Sequence, residues 1–186
     1  MGFPQHPLRP SLRKLSVAYI VGLTHLGFRI RAAISIPNQG RLQAIIRLIE
    51  SSDVSIHDLS RVELSRGVPR FNMPVELGIA LYRSHVTRGK HRVFTFETKP
   101  HRMQRSTSDL NALDPQIHNG TPAGVMRALR NIFLQPGDVA TVPEMLASYR
   151  AVEQRLPKLR RDSGSRSVFE AAIFRDLVLV SLVESQ

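Results

Sequence analysis

A glutamate near the start of a predicted helix is the most distinctive candidate for chemistry in this chain. In the segment FNMPVELG, residues 71–78, Asn72 can cap a helix whose first turn tolerates Pro74, and we also predict that Asn72 binds the ligand. Glu76 is predicted in that first turn, where the helix dipole favours an anion, so we expect its pKa to stay low. Such a carboxylate can act as a nucleophile, or stabilise a cationic sugar, when an N-glycosidic bond breaks. The alternative is a surface glutamate that only interacts with the helix dipole.

An aspartate at the end of a predicted strand is the second candidate. The segment SIHDLS, residues 55–60, is typical of a short strand whose alternation puts His57 on one face and Asp58 at the tip. There Asp58 can accept hydrogen bonds from a ligand hydroxyl, with His57 as a further ligand-binding residue. The alternatives are that Asp58 caps a turn and that His57 is a buried, hydrogen-bonded core residue.

A long polar loop from Lys99 to Gly120 is the third candidate, because loops of such length inside a domain are often functional. We predict that Arg102 and Arg105 bind phosphate, and that Asp109 and Asn111 bind ribose hydroxyls or base edges. The loop has no recognised metal-ligand spacing, and the chain has no glycine-rich phosphate loop or dinucleotide fingerprint. We therefore predict neither a metal ion nor a cofactor.

An alternation of helices and strands is predicted to position these candidates. Strands are predicted at residues 28–34, 54–59 and 93–96, and helices at residues 11–26 and 42–49. Two further helices are predicted to begin at Asn72 and at Thr121. The helix from Asn72 is predicted to have Val75, Ile79 and Tyr82 on its apolar face. Strands separated by helices pair in parallel through right-handed crossovers, and ligands bind beyond the carboxyl ends of such strands. Asp58, the helix of Glu76 and the loop after Lys99 are all expected at that edge.

The predicted fold is therefore α/β: a flavodoxin-like three-layer domain with a parallel sheet over residues 1–136, followed by a C-terminal helical extension over residues 137–186. Helices at about 143–156 and 168–184 follow the capping-box patterns Thr141-x-x-Glu144 and Ser167-x-x-Glu170, with a basic linker at 157–165. The apolar stripe of the last helix either packs on the domain or forms a dimer interface, so a homo-oligomer is one expectation.

The composition is basic and free of cysteine. The formal net charge is +11, with 26 Lys and Arg against 15 Asp and Glu, which favours an anionic partner such as a nucleotide, a nucleic acid or an acidic protein. A GC-rich genome is the alternative origin of so many arginines. No apolar run approaches the ~20 residues that cross a bilayer, and no signal peptide is evident. We expect a cytoplasmic protein without membrane contact.

Two blocks of the sequence carry a resemblance to known families. The blocks IIRLIESSDVSIHDLSRVELSRGVPRFNMPVELGIAL and RMQRSTSDLNALDPQIHNGTPAGVMRALRNIF resemble a family of uncharacterised bacterial proteins of this size. More distantly, a strand that ends in Asp and a helix that opens with Glu-Leu-Gly are similar to the nucleoside 2-deoxyribosyltransferase family and to Toll/interleukin-1 receptor-like NAD-cleaving domains. That resemblance implies a nucleophilic role for Glu76 and a base-binding role for Asp58.

The start of the chain departs from that resemblance. Those families begin with a buried central strand, whereas residues 1–10 here contain Pro4, Pro7 and Pro10, and proline cannot donate to a strand ladder. We expect that the first strand is absent, through an altered start site or reading frame, or that the sheet is built differently.

Three functional hypotheses follow. The first is an enzyme that cleaves or transfers at the N-glycosidic bond of a nucleoside, a nucleotide or NAD, with Glu76 as nucleophile or cation stabiliser and Asp58 orienting the ligand. The second is a module that binds a nucleotide in the same cleft, for signalling, without turnover. The third is a protein whose basic surface binds nucleic acid.

Overall fold

The computed structural model describes residues 10–33, 40–60, 72–101, 113–134, 140–165 and 167–185. Its elements are α1 (Pro10–His25), α2 (Arg41–Glu50), β1 (Val54–Asp58), α3 (Asn72–Val86), β2 (Arg92–Glu97), β3 (Gln116–Ile117), α4 (Pro122–Phe133), α5 (Val142–Asp162) and α6 (Ala171–Glu184). The mixed α/β prediction is confirmed. Within these ranges no helix is both long and apolar enough to span a bilayer.

The chain divides into two compact units. One is the segment Arg31–Asn119, and the other joins Met1–Ile30 to Gly120–Gln186. The sequence predicted a single boundary at residue 136, which groups α1 and α4 with the sheet. In the structure α1 and α4 instead pack with α5 and α6, because the apolar faces of all four helices share one core.

The Arg31–Asn119 unit contains a three-stranded parallel sheet in the order β1-β2-β3. Helix α3 connects β1 to β2, as expected for parallel neighbours. Helices α2 and α3 run in the same direction. Near their starts the charge of Arg41 acts on Glu76, and near their ends Arg83 Nη2 donates to the Glu50 carbonyl at 3.2 Å.

Two apolar clusters hold the helices of this unit on the sheet. The first joins Ile45 and Ile49 of α2 to Ala80 of α3, with Val93 packed against them. The second joins Leu59, just after β1, to Leu77 of α3. The spacing of Leu42, Ile45, Ile46 and Ile49 predicts an apolar helix face, which is confirmed at Ile45 and Ile49, while Leu42 is exposed.

The predicted apolar face of α3 is only partly correct. Ile79 packs against the first cluster, but Val75 and Tyr82 are exposed, and the buried positions are Leu77 and Ala80. Both stripes satisfy a period of 3.6 residues, so periodicity does not choose between them. Packing on Leu59 and Ile49 selects the Leu77 face.

The unit that joins Met1–Ile30 to Gly120–Gln186 has two helices, α4 and α5, that begin at side-chain caps. The Thr121 hydroxyl accepts from the Gly124 N–H at 3.0 Å at the start of α4, and the predicted Thr141/Glu144 capping box begins α5. Helix α5 continues through Pro157 to Asp162, so the predicted linker from residue 157 is wrong. Buried Val152 and Leu156 anchor the helix just before the proline, so packing there compensates for the hydrogen bond that proline cannot make.

Two further local predictions also differ from the structure. The predicted strand at 28–34 is not a strand over its described residues 28–33, and Phe28 packs edge-to-face on Phe133 of α4 with ring centroids 4.7 Å apart. Ser167 N–H donates to the Glu170 carboxylate at 2.8 Å, but α6 begins only at Ala171, so this capping pattern precedes the helix rather than opening it.

Candidate functional site

Three polar side chains meet at the carboxyl end of the sheet. Asp58 ends β1, Ser60 follows two residues later, and His118 comes directly after β3. Asp58 Oδ1 accepts from the Ser60 N–H at 2.9 Å, Ser60 Oγ lies 2.9 Å from His118 Nε2, and the same nitrogen lies 3.5 Å from Asp58 Oδ2. The predicted strand-end position of Asp58 is therefore confirmed.

Strand register explains why these side chains meet. Asp58 and Gln116 both pair with Phe96 of the middle strand, so they lie at the same height on either side of β2. His118 is two residues beyond Gln116 and therefore lies on the same face of the sheet as Asp58. Two hydrogen bonds to β2 carbonyls fix the ends of β1 and β3. The Leu59 N–H donates to the Phe96 carbonyl at 2.9 Å, and the His118 N–H donates to the Glu97 carbonyl at 3.0 Å. Asp58 and His118 thus reach across the end of β2.

The electrostatics of this group favour an ionised aspartate. Burial by itself raises the pKa of Asp58, but hydrogen bonds from His118 and Ser60 outweigh it and hold the pKa below the ordinary value of 3.8. His118 is fully buried, whereas the Asp58 side chain keeps 23% of its surface exposed. An ionised carboxylate is therefore accessible at the edge of the sheet.

Glu76 has a different environment from the one predicted. It is the fifth residue of α3, no acidic residue lies in the first turn, and its side chain is half-buried. Burial raises the pKa of Glu76, and the charge of Arg41 partly opposes that rise. The expectation of a low pKa at a helix start is therefore wrong, because the second turn offers less of the dipole and more desolvation.

The neighbourhoods of the two carboxylates are nevertheless joined by packing. Leu59 directly follows Asp58, Leu77 directly follows Glu76, and these two leucines form one buried cluster. The start of α3 therefore lies at the same edge of the sheet as Asp58. The two carboxylates have different neighbours: Asp58 contacts His118 and Ser60, whereas Glu76 interacts with Arg41.

His57 lies on the other face of the sheet. Its register partner is Thr95, and both are buried on the face that also carries Val93 and packs against α2 and α3. His57 Nε2 has no hydrogen-bond partner among the described residues, and burial lowers the pKa of His57 to about 4, with a smaller effect of His91 in the same direction. His57 is therefore a buried core residue, as the alternative predicted, but its Nε2 atom is not hydrogen-bonded to any described residue. A ligand-binding role for His57 stays a prediction.

The remaining predicted ligand-binding residues are distributed unevenly. Asn72 is the first residue of α3 and is exposed. Arg102, Arg105, Asp109 and Asn111 lie outside the described residues, so their roles stay predictions.

Two residues of the site, Ser60 and His118, were missing from the predicted set. An Asp-x-Ser pattern at a strand end is a known turn signal, and the bond from Ser60 N–H to Asp58 matches it. That pattern could have found Ser60. His118 lies within the predicted polar loop from Lys99 to Gly120, but its position beside Asp58 could not be predicted, because that position depends on the pairing of β3 with β2.

Comparison with known proteins gives no matching family model, curated protein or solved structure. Within the described ranges, no group of three or more His, Asp and Glu side chains is placed to hold a metal ion. The side chains that the structure brings together at this edge are a carboxylate, a hydroxyl and an imidazole.

Proposed function

We propose that the Arg31–Asn119 unit binds a nucleoside or nucleotide at the carboxyl edge of its sheet and cleaves or transfers at the N-glycosidic bond. One observation carries the proposal: Asp58 is held ionised and partly exposed at that edge by Ser60 and His118. Parallel sheets of flavodoxin-like proteins bind ligands at this edge, and we extend that three-layer arrangement to this unit as part of the proposal.

Asp58 is the ligand-orienting group in this proposal. An ionised carboxylate accepts hydrogen bonds and cannot donate them, so it suits the hydroxyls of a ribose or the N–H groups of a base. The Ser60 N–H and His118 restrain the carboxylate before a ligand arrives. Arg102 and Arg105 remain the proposed phosphate-binding residues.

Glu76 is the proposed partner of the sugar. When the bond between the sugar carbon and the base nitrogen breaks, the electron pair leaves with the base and the sugar becomes cationic. An ionised Glu76 stabilises that cation or adds to it, and water or a second nucleoside base then completes hydrolysis or transfer. Because burial raises the pKa of Glu76, this role requires a pH above that raised value.

A second candidate is a module that binds the ligand without turnover. The observation that favours it is the position of Glu76, which lies in the second helical turn with Arg41 as its charged neighbour. An arginine beside a carboxylate reduces the charge that the carboxylate offers to a cationic sugar.

The test combines ligand binding with product analysis. The protein is titrated calorimetrically with a panel of nucleosides, nucleotides and NAD, and each mixture is analysed chromatographically for free base. Asp58→Asn is expected to weaken binding at least tenfold, and Glu76→Gln to keep binding but lose product. Glu50→Gln, at the exposed end of α2, is the matched control and is expected to behave as the native chain.

The outcomes separate the candidates. Saturable binding without any free base identifies the non-catalytic module. Binding that is unchanged in Asp58→Asn contradicts the site itself, and product formation that survives Glu76→Gln contradicts the role of Glu76.

A further inference from the structure

A group of basic side chains surrounds the turn between α2 and β1, at the end of the strands opposite Asp58. This turn, residues 50–53, accepts hydrogen bonds from Arg31, Arg83 and Arg92. We call the surrounding group the basic end; its members are Arg31, Arg47, Arg83, Arg88, Lys90 and Arg92.

Contacts to the turn bring these residues together. Arg31 Nη1 donates to Ser51 Oγ at 2.7 Å, Arg83 Nη2 donates to the Glu50 carbonyl at 3.2 Å, and Arg92 N–H donates to the Asp53 carbonyl at 2.9 Å. Arg47 lies in the last turn of α2, one helical turn before Ser51. The Ser51 hydroxyl donates to the Arg47 carbonyl at 2.7 Å.

The turn after α3 adds the last two cations. Arg88 and Gly89 both have positive φ, 53° and 78°, and the Gly89 N–H donates back to the Ser84 carbonyl at 2.8 Å. This reversal folds Arg88 and Lys90 against the final turn of α3, and both side chains are exposed. Among the described residues, six cationic residues and two acidic ones, Glu50 and Asp53, therefore lie at this end.

Helix dipoles account for only part of this charge. Cations at the carboxyl ends of α2 and α3 are stabilising, and Arg31 and Arg83 also bond to the turn. Arg88, Lys90 and Arg92 lie beyond the helices and are exposed, and the Arg92 guanidinium lies over the Phe94 ring, 5.9 Å from its centroid. Helix dipoles do not account for this concentration of like charge, which indicates an anionic partner.

An exposed aromatic residue borders the basic end. Tyr82 is 69% exposed on α3, one turn before Val86, which is also exposed, and the flanking His85 is exposed as well. Aromatic rings beside cationic side chains bind single-stranded nucleic acid, because bases stack on the ring while phosphates contact the cations.

We propose that the basic end binds single-stranded nucleic acid, with Arg88, Lys90 and Arg92 contacting phosphates and Tyr82 stacking on a base. An acidic protein segment would use the same cations but has no planar base for Tyr82. The proposed nucleoside site lies at the other end of the strands, so either proposal can fail without the other.

Fluorescence anisotropy of a labelled oligothymidine of about 16 nucleotides tests this proposal. The patch variant carries Arg88→Asn, Lys90→Gln and Arg92→Gln; asparagine is used at Arg88 because it tolerates positive φ. The control variant carries Arg150→Gln, Lys158→Gln and Arg161→Gln on exposed positions of α5. Both variants lose three positive charges, so only the location of the charge differs.

The native chain and the control are expected to bind alike. The patch variant is expected to bind at least tenfold more weakly between about 50 and 200 mM salt, with a salt slope smaller by about 2. Tyr82→Phe is expected to bind as the native chain and Tyr82→Leu roughly tenfold more weakly. Thermal melting of every variant checks that these exposed substitutions leave the fold intact.

Four results would overturn the proposal. The first is that the native chain does not bind oligothymidine, and the second is that the patch and control variants lose the same binding affinity. The third is that Tyr82→Leu and Tyr82→Phe bind with equal affinity. The fourth is that polyglutamate or duplex DNA competes as effectively, per charge, as unlabelled oligothymidine.

Discussion

Asp58 Oδ2 lies 3.5 Å from His118 Nε2, although Asp58 ends β1 and His118 follows β3, the strands on either side of β2. The contact closes the carboxyl edge of the sheet over the end of its middle strand. It also means that the charge of Asp58 depends on the pairing of β3, so the site and the sheet are coupled.

Asp58 is expected to make the stability of its unit depend on acid pH. Burial raises the pKa of Asp58, but the bonds from His118 and Ser60 hold it below 3.8, so the unfolded chain takes up the proton first. The stabilisation is therefore present above about pH 3.8 and is lost as the pH falls through the folded pKa. In urea denaturation from pH 6 downward, the advantage of the native chain over Asp58→Asn should shrink toward the acid end. Asp114→Asn, at an exposed position, should show a constant difference.

His57 is expected to weaken the fold in mild acid. Its pKa is lowered to about 4 by burial, and to a smaller extent by His91, whereas the unfolded chain binds a proton near 6.5. Between these values the unfolded state holds more protons, so stability falls as the pH drops. His57→Leu should reduce the loss of unfolding free energy between pH 7 and pH 5 by about 2 kcal/mol. Urea denaturation at the two pH values measures this difference.

His91 provides the contrast to His57. Its Nδ1 donates to the Ser52 carbonyl at 2.7 Å and its Nε2 lies 2.9 Å from Ser55 Oγ. His91→Leu should therefore destabilise the unit by about 1–3 kcal/mol at pH 7, because two partly buried polar partners lose their bonds. If His57→Leu costs as much as His91→Leu at pH 7, the absence of a hydrogen bond between His57 Nε2 and the described residues is contradicted.

Arg41 is expected to control the ionisation of Glu76. Burial raises the pKa of Glu76 and the charge of Arg41 lowers it, so Arg41→Gln should raise the titration midpoint further. Carbon-detected NMR of the Glu76 carboxyl group measures the midpoint directly, whether or not there is turnover. Arg47→Gln, one and a half turns along α2, is the control and should leave the midpoint unchanged; an equal shift there would show a general charge effect.

Two helical glycines are expected to respond in opposite ways to alanine. A Cβ at Gly78 of α3 meets nothing within 4 Å, so Gly78→Ala should stabilise the protein by about 0.5–1 kcal/mol through helix propensity. A Cβ at Gly22 of α1 would lie 2.8 Å from Leu129 Cδ1, and Leu129 is fully buried. Gly22→Ala should therefore gain less than Gly78→Ala or destabilise the protein, because a packed core resists the shift. Urea denaturation of the pair tests the packing of α1 on α4.

The sequence by itself determined several of the local elements and one member of the site. Apolar spacing predicted α2, the short run VSIHD predicted β1, and the order of strands and helices predicted parallel pairing, which puts Asp58 at the carboxyl edge. The Thr141/Glu144 capping box was also predictable. These features depend on neighbours within a few residues along the chain, so local chemistry is sufficient to specify them.

Only the tertiary structure decided which surfaces meet. Periodicity shows that α1 and α4 have apolar faces but not that these faces are covered by α5 and α6. It did not decide between the Leu77 and Tyr82 faces of α3, and it gave no sign of the two-residue strand that brings His118 to Asp58. Whether a residue is buried depends on residues that are distant in sequence, and local sequence patterns do not show which distant residues will be neighbours.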